Sequence, residues 1–461
     1  MREWENATWA TGQTAAQVIE KVGAKVAETA TRLTNPRDHI TILAGKGNNG
    51  ADARAASKQI SNRTVAIFDI TDPATDLEAL NFILIKHRGL IVDGLFGVGL
   101  NRELDNSWRK IIEAINSSGP RVLAVDVPSG LNADTGLPMG AAIRASVTLT
   151  IGAPKCGLIG AGAAEYVGRL EVADDVGLVR CHGTSDLQWT MPKDFRDFPP
   201  ARKVETHKGT YGHLAIVAGS AGYHGAAVLC SKGAQRAQPG LITLFAHQPI
   251  YVPVASQCQA VMVSPWSKDI ILPDNCTAVL IGPGLADPNL PPEIRSWTEQ
   301  LWRESSVPII VDASALSWLP RHTHPIKGVR VITPHPGEAG KMLESSAAKV
   351  QSDRPRALRK LSQEHGNALV ILKGNQTLIG RSIGEISVNC SGNPHLAQGG
   401  SGDVLSGYIA GLLAQPDLAT DPIKTLSFAV WQHGATADHL QHASANWTIE
   451  GLHAMLGSIR P

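Results

Sequence analysis

Aspartates at the ends of aliphatic runs are the first side chains in this 461-residue sequence with chemistry to offer. Asp93 closes the run LIVD, Asp126 closes LAVD, and Asp52 follows the glycine–asparagine loop GKGNNGAD. In an open parallel sheet such strand ends form the edge where ligands bind, so these carboxylates would converge. Together they suit acid–base work on a hydroxyl, or a cation, because hard cations want several oxygens. Asp126 followed by Pro128, Ser129 and Gly130 predicts a rigid turn whose carbonyls and hydroxyl surround a monovalent ion. Gly45, Gly47 and Gly50 spell GxGxxG, with Asp69 about twenty residues on, which by the general rule is a dinucleotide fingerprint. Asn48, Asn49 and Asp52 point elsewhere, since an anion at a helix start repels phosphate and instead faces a sugar, a cation or a reacting hydroxyl.

The second half carries a different constellation. In NPHLAQGGSGDVLSGYIAGLLAQ, residues 393–415, Gly399, Gly400 and Gly402 precede Asp403 and an apolar helical pattern. Backbone amides at such a helix start hold a phosphoryl group, and Asp403 is placed to take a proton from a hydroxyl beside it. Five further loops are expected at the same edge: HKGTYGH (207–213), GPGL (282–285), VDASAL (311–316), TPHPGE (333–338) and LKGNQT (372–377). Among them Lys373 suits a nucleotide phosphate, and His335, stiffened between two prolines, suits a bond to substrate.

The elements that position these groups are legible as short β-branched runs separated by helical stretches, the pattern of parallel strands with crossover helices. Strands are expected at 40–44, 65–68, 90–96, 122–127 and 147–151, with a helix over 14–33 ahead of them. A second series is expected at 214–218, 242–245, 278–281, 308–311, 329–333 and 368–372. Residues 181–206 are polar and proline-bearing, so the division falls there: a first domain over 1–182, a linker or domain edge over 183–206, and a second domain over 207–461.

Composition excludes several classes. A formal charge of +1 argues against nucleic acid as a partner. The six cysteines show no metal or disulfide spacing, and no long apolar run suggests a membrane span, so a cytoplasmic protein is expected.

GKGNNGAD, VDGLFGVGLNRE and AVDVPSGLNADTG resemble the signature segments of the NAD(P)H-hydrate epimerase domain, the YjeF N-terminal family, over about residues 1–180. The resemblance implies that Asn48, Asn49, Gly50, Ala51 and Asp52 bind hydrated nicotinamide dinucleotide. The segment Gly97, Val98, Gly99, Leu100, Asn101, Arg102 and Glu103, with Asp126, would touch it too. Asn49, Asp93 and Ser129 would hold potassium. Asp126 is the expected general acid/base, with Asp52 in support. Ala51, Ala53 and Val98 stand where the family pattern has Gly, Gly and Thr.

From about residue 200 to 440 the order of motifs resembles the ADP- or ATP-dependent NAD(P)H-hydrate dehydratase domain, a relative of ribokinase-like kinases. This implies that Lys373, Gly374, Asn375, Gln376 and Thr377, and Asn393, Gly399, Gly400, Ser401 and Gly402, bind ADP or ATP with Mg2+. Gly284, His335 and Asp403 would contact the hydrated dinucleotide, with Asp403 as base. Ser314 and Ala260 replace the usual Asp and Glu. The fold class implied is α/β: a Rossmann-like three-layer N-terminal domain followed by a larger ribokinase-like domain. The expected function is epimerisation and nucleotide-dependent dehydration of NADH and NADPH hydrates, in a homo-oligomer. A kinase-like phosphotransferase for a small alcohol, joined to a dinucleotide-binding or silent ligand-binding domain, is the alternative.

Overall fold

The structure is a computed structural model that describes residues 2–86, 89–181, 185–322 and 324–461. It divides into two compact units, Met1–Thr184 and Ser185–Pro461. The division expected at 182/183 lies outside the described residues.

In the first unit the aliphatic runs become β1 (His39–Ala44), β2 (Thr64–Asp69), β3 (Gly89–Gly94), β4 (Arg121–Val125), β5 (Val147–Ile151) and β6 (Arg169–Ala173). They form one sheet in the order β2-β1-β3-β4-β5-β6, every pairing parallel. Alternate residues feed opposite faces: Ile40, Ile42, Leu90 and Val92 join one core, Leu43 and Ile91 another. Burial on both faces is why these strands are continuous aliphatic runs. The helix Ala15–Arg32 seals one face with Val18, Val22 and Val26, and starts at a capping box between Thr14 and Gln17. The strand order reverses between β1 and β3, which opens a crevice at their carboxyl ends.

Among the described residues the second unit holds ten strands: β7 (Leu187–Trp189), β8 (His213–Val217), β9 (Leu241–His247), β10 (Met262–Trp266), β11 (Ala278–Ile281), β12 (Ile309–Val311), β13 (Arg330–Ile332), β14 (Leu369–Leu372), β15 (Leu378–Gly380) and β16 (Ile386–Val388). Their order is β10-β9-β8-β11-β12-β13-β14-β15-β16-β7. Pairings from β10 to β14 are parallel, those of β15 antiparallel, and β7 lies parallel to β16. The helix Ser401–Leu413, nearly all buried, packs on the helix His224–Ala237. Glycines permit the approach: a Cβ on Gly233 would lie 2.2 Å from the Val404 carbonyl oxygen, and one on Gly407 would lie 1.9 Å from that of Cys230. This contact fixes the helix that begins at the GGSGD loop.

Two expectations change. The stretch read as linker contributes β7 to the sheet edge, since three residues bonded through their backbone to Ile386–Val388 leave no periodicity to read. The HKGTYGH loop precedes β8, which places it at the amino ends of the parallel strands, opposite the edge where the other loops gather. Gly240, at the start of β9, packs on it there. No helix among the described residues is long and apolar enough to cross a membrane.

Candidate active sites

In the first unit, β3 ends in a carboxylate that is fully enclosed. Asp93 is 0 % exposed. Its Oδ1 accepts from the Ser129 hydroxyl at 2.6 Å and the Leu95 amide at 3.2 Å, and its Oδ2 accepts from the Ser129 amide at 2.8 Å. Burial raises its pKa to about 6 against these three donors. The Phe96 amide donates to Ser129 Oγ at 2.8 Å, so β3 and the turn after β4 are tied together. Asn49, in the first turn of the helix Asn48–Ser57, donates through Nδ2 to the Phe96 carbonyl at 2.8 Å. Its Oδ1 is buried with no hydrogen-bond partner among the described residues. A buried oxygen without a donor is costly alone and is what a potassium ion takes as ligand, so the residues present fit that ion. The carbonyls of the turn fit it less well than expected, because that of Pro128 accepts from Leu131 and that of Ser129 from Ile143.

Asp126 sits beyond β4 with a positive φ of 67°. Its Oδ1 pairs with Lys155 Nζ and accepts from the Ile151 amide at 3.0 Å. Lys155, 8 % exposed, is further held by Thr150 Oγ1 at 3.0 Å and the Ile151 carbonyl at 2.9 Å. Asp52 is buried on the inner side of its helix. Burial first, then the negative charges of Asp126 and Glu5, push its pKa up to about 8, so it holds its proton at neutral pH. The two carboxyl groups therefore stand in different environments, Asp52 raised by burial and Asp126 paired with Lys155.

The remaining candidates spread outward. Gly97 lies over Asn49, a Cβ there reaching the Asn49 side chain at 3.5 Å. Asn48, Val98, Gly99, Asn101 and Arg102 are exposed, and Glu103 pairs with Arg109 at 2.7 Å. Asp69 is occupied by Arg54 at 2.8 Å, which accounts for the acid that the generic fingerprint assigns to a ribose. Gly50 is required, since a Cβ would fall 2.0 Å from the Gly45 carbonyl oxygen. Ala51 and Ala53 sit inside the helix without positive φ, and the Ala53 methyl fills the space over Gly94. Sequence reasoning missed Lys155, although it follows β5 as Asp126 follows β4.

In the second unit Asp312 and Lys373 meet at the ends of β12 and β14, with Nζ 3.0 Å from Oδ1. Glu338 Oε2 lies 3.8 Å from the same ammonium. Burial opposes the Lys373 charge, but Asp312, Glu338 and Asp403 outweigh it, and its pKa is raised. Asp403, in the first turn of the helix Ser401–Leu413, has its pKa raised to about 6 by burial and by Asp312, with Lys373 pulling the other way. Gly400 caps this helix with φ 95°, and a Cβ on Gly402 would lie 3.6 Å from Lys373 Nζ. The glycine loop, the lysine and the two aspartates thus share one place. The Ser401 amide is used internally, donating to the Gln398 carbonyl at 3.3 Å, and so leaves the set of expected anion donors.

Asn393 Nδ2 donates to Asp438 Oδ1 at 3.0 Å and the Gly392 amide to Oδ2 at 2.9 Å, which anchors the loop before the glycines. Gly284 (φ 65°) accepts at its carbonyl from Ser220 Oγ at 2.6 Å. His335 is a helix cap: its Nδ1 accepts from the amides of Gly337 at 3.0 Å and Glu338 at 3.3 Å, while its Nε2 lies 3.5 Å from Glu338 Oε1. It borders a cavity of about 460 Å³ between residues 313–319 and 338–344 whose lining includes none of Asp312, Lys373 and Asp403. His433, buried and held down to about pKa 4 by burial, contacts the Ser401 carbonyl through Nε2 at 3.2 Å. Asp312 and His433 were not singled out from sequence. The first carried the strand-end signal inside VDASAL; the second is an interior helix residue with none.

The family described as NAD(P)H-hydrate dehydratase matches residues 214–455, and the YjeF-related protein N-terminus family matches residues 15–71 and 69–157. A bifunctional NAD(P)H-hydrate repair enzyme of Moorella thermoacetica is 32% identical over 472 residues, covering 91% of this chain and 87% of its own. One of Vibrio cholerae is 37% identical over 355 residues, covering 76% of this chain and 70% of its own. Among solved structures, the ADP/ATP-dependent NAD(P)H-hydrate dehydratase of Bacillus subtilis, co-crystallised with ATP and Mg2+, aligns with TM-score 0.52 and 30% identity over 58% of this chain and 95% of its own. A ribokinase-like superfamily protein of Enterococcus faecalis shares the fold, with TM-score 0.52 and 23% identity over 61% of this chain and 97% of its own. The chain belongs to the family of bifunctional NAD(P)H-hydrate repair enzymes.

Proposed function

We propose that this chain restores hydrated NADH and NADPH to their dihydronicotinamide forms, with epimerisation in residues 1–182 and ADP- or ATP-dependent dehydration in residues 207–461. The observation that carries the reading is the meeting of Asp403, Lys373 and Asp312 at the start of the glycine-capped helix. Hydroxide is a poor leaving group. Asp403 as carboxylate takes the proton of the ring hydroxyl as its oxygen attacks the terminal phosphorus of the nucleotide, whose bridging P–O bond breaks to release AMP from ADP or ADP from ATP. The phosphate ester then leaves with its bonding pair, assisted by the ring nitrogen, and loss of a ring proton restores the double bond. The amides of Gly402 and Asp403 and the Lys373 ammonium face the transferred charge. Residues 373–377 and 393–402 hold the nucleotide, and Gly284 and His335, whose Nε2 would exchange its Glu338 contact for substrate, face the hydrated dinucleotide. Among the described residues no group of three or more His, Cys, Asp or Glu side chains forms a metal cage. A magnesium ion therefore fits here as a companion of the nucleotide phosphates, whose charge it neutralises when bound.

In the first unit the protonated Asp52 donates to the departing ring hydroxyl, and Asp126, fixed by Lys155, accepts the proton as water returns to the opposite face. Residues 48–52 and 97–103 hold the dinucleotide. Asn49 Oδ1, Asp93 and Ser129 would hold potassium, whose charge steadies the anionic substrate when bound. Free Cys156 and Cys181, both exposed, agree with a reducing, cytoplasmic setting.

The test is incubation with hydrated NADH enriched in each epimer, with and without ADP, following recovery of dihydronicotinamide absorbance. Recovery of both epimers only with ADP supports the reading. Recovery of one epimer alone removes the epimerase, and recovery of neither removes the dehydratase.

A further inference from the structure

Arg354 opens the helix Arg354–Glu364, one residue after the Asp353 cap, and its guanidinium is buried, the residue being 7 % exposed. Among the described residues no carboxylate pairs with it. It is surrounded instead by backbone oxygens of one loop: Nη1 donates to the carbonyls of Asn375 and, at 3.2 Å, Gln376, while Nη2 donates to those of Leu372 at 3.0 Å and Lys373 at 3.5 Å. The remaining carbonyl of that loop, Gly374, accepts from Thr377 Oγ1 at 3.0 Å. An unpaired buried cation is costly, so its retention here calls for a reason beyond packing.

We infer that Arg354 is a positioning residue for the nucleotide site, gathering the carbonyls of Leu372, Lys373, Asn375 and Gln376 on one side so that the amides that follow them present themselves to the nucleotide on the other. The inference rests on the reading of residues 373–377 as the nucleotide loop. In a planar trans peptide the C=O and the following N–H point opposite ways, so every carbonyl turned toward the guanidinium turns an amide away from it. The Lys373 amide is taken by the Pro334 carbonyl at 2.9 Å. Those of Gly374, Gln376 and Thr377 have no backbone acceptor among the described residues, which leaves them as donors on the side away from the guanidinium. Two features of the loop follow. Gly374 has φ 140°, and a Cβ there would lie 3.2 Å from Arg354 Nη2; Gln376 has φ 54°. The loop is therefore folded around a planar fork with several donors, which a lysine cannot reproduce.

The test uses the full chain with Arg354→Lys and Arg354→Ala, ADP as the nucleotide, and hydrated NADH as the second substrate. In Arg354→Lys the KM for ADP is expected to rise about 10- to 100-fold while the KM for hydrated NADH and kcat at saturating ADP change far less. Amide exchange at residues 374–377 should quicken while that within 357–364 holds, and ethylguanidinium should restore ADP affinity to Arg354→Ala. Wild-type ADP affinity in a folded Arg354→Lys chain, or loss of both substrates in equal proportion without ethylguanidinium rescue, overturns the inference. If the wild-type chain takes no ADP, the nucleotide-loop reading fails on its own, and unchanged exchange at 374–377 in Arg354→Lys then overturns the carbonyl clamp.

Discussion

Lys373 and Asp312 pair across a strand that belongs to neither: Nζ lies 3.0 Å from Oδ1, yet β13 separates β12 from β14 in the sheet. The pair bridges two loops at the carboxyl edge, and Asp403 is placed within reach of both its charges. Charge balance in the second unit thus depends on all three groups together.

In the role proposed for it Asp403 is a base only when ionised, and its pKa is raised to about 6. The dehydration rate should therefore fall as pH drops through about 6. Burial is the larger cause of the shift and Asp312 the next, so Asp312→Asn removes a like charge and frees Lys373 to stabilise the carboxylate. The acid limb of the rate profile should move to lower pH in that variant, measured as kcat/KM from pH 4.5 to 8. A limb that stays in place or moves upward contradicts the coupling.

Asp52 carries the opposite requirement, because a proton donor must be protonated. With its pKa at about 8, epimerisation should decline as pH rises above that value. Stability follows with a definite sign. The unfolded chain releases this proton near pH 4 and the folded chain near 8, so the native state binds more protons between the two and loses stability as pH rises across that window. Asp52→Asn should abolish epimerisation yet raise the melting temperature at pH 7.5, with each kcal/mol worth about 2–4 °C for a unit of this size. Lower melting at that pH sinks the assignment of Asp52 as a buried acid.

Potassium offers a readout independent of turnover. A ligand that binds only the folded state adds stability as its concentration passes Kd. Replacing choline chloride with potassium chloride at constant ionic strength should raise the melting temperature of the wild-type chain, and Asn49→Ala should lose the increment. Equal responses in the two proteins would dismiss the site. Asp93→Asn should also lose it and destabilise the fold by roughly 1–3 kcal/mol, since three donors then face an amide.

The alanines of the first loop permit a test by reversal. Ala53→Gly should cost about 0.5–1 kcal/mol of helix stability and add no epimerase activity, because the helix already has ordinary φ there. Gly50→Ala should cost about 3 kcal/mol or more, its methyl landing 2.0 Å from a backbone oxygen. Thermal denaturation of both variants separates the two cases. A mild Gly50→Ala would overturn the packing argument.

Sequence made the parallel strands readable because burial on both faces leaves uninterrupted Val, Ile and Leu, as in β1, β3 and β4. β6 (RLEVA), β7 (LQW) and β16 (ISV) were missed because edge or short strands mix polar residues and carry no such run. The acids at strand ends were visible for the same geometric reason as the strands themselves. The pairings were not: Lys155 with Asp126, and Lys373, itself legible, with Asp312, which was not singled out, are separated by 29 and 61 residues, and only the assembled sheet reveals them. Asp52 looked like a helix-start anion in sequence. Its burial, with the charges of Asp126 and Glu5 raising its pKa further, exists only in the folded chain.

Recovery of dihydronicotinamide by Asp403→Asn, with ADP and the usable epimer of hydrated NADH in excess, addresses the account at its centre. Removing the general base while keeping the side-chain shape should lower kcat by about 10²- to 10⁴-fold and leave ADP affinity within a few-fold of wild type. Recovery at the wild-type rate would contradict it.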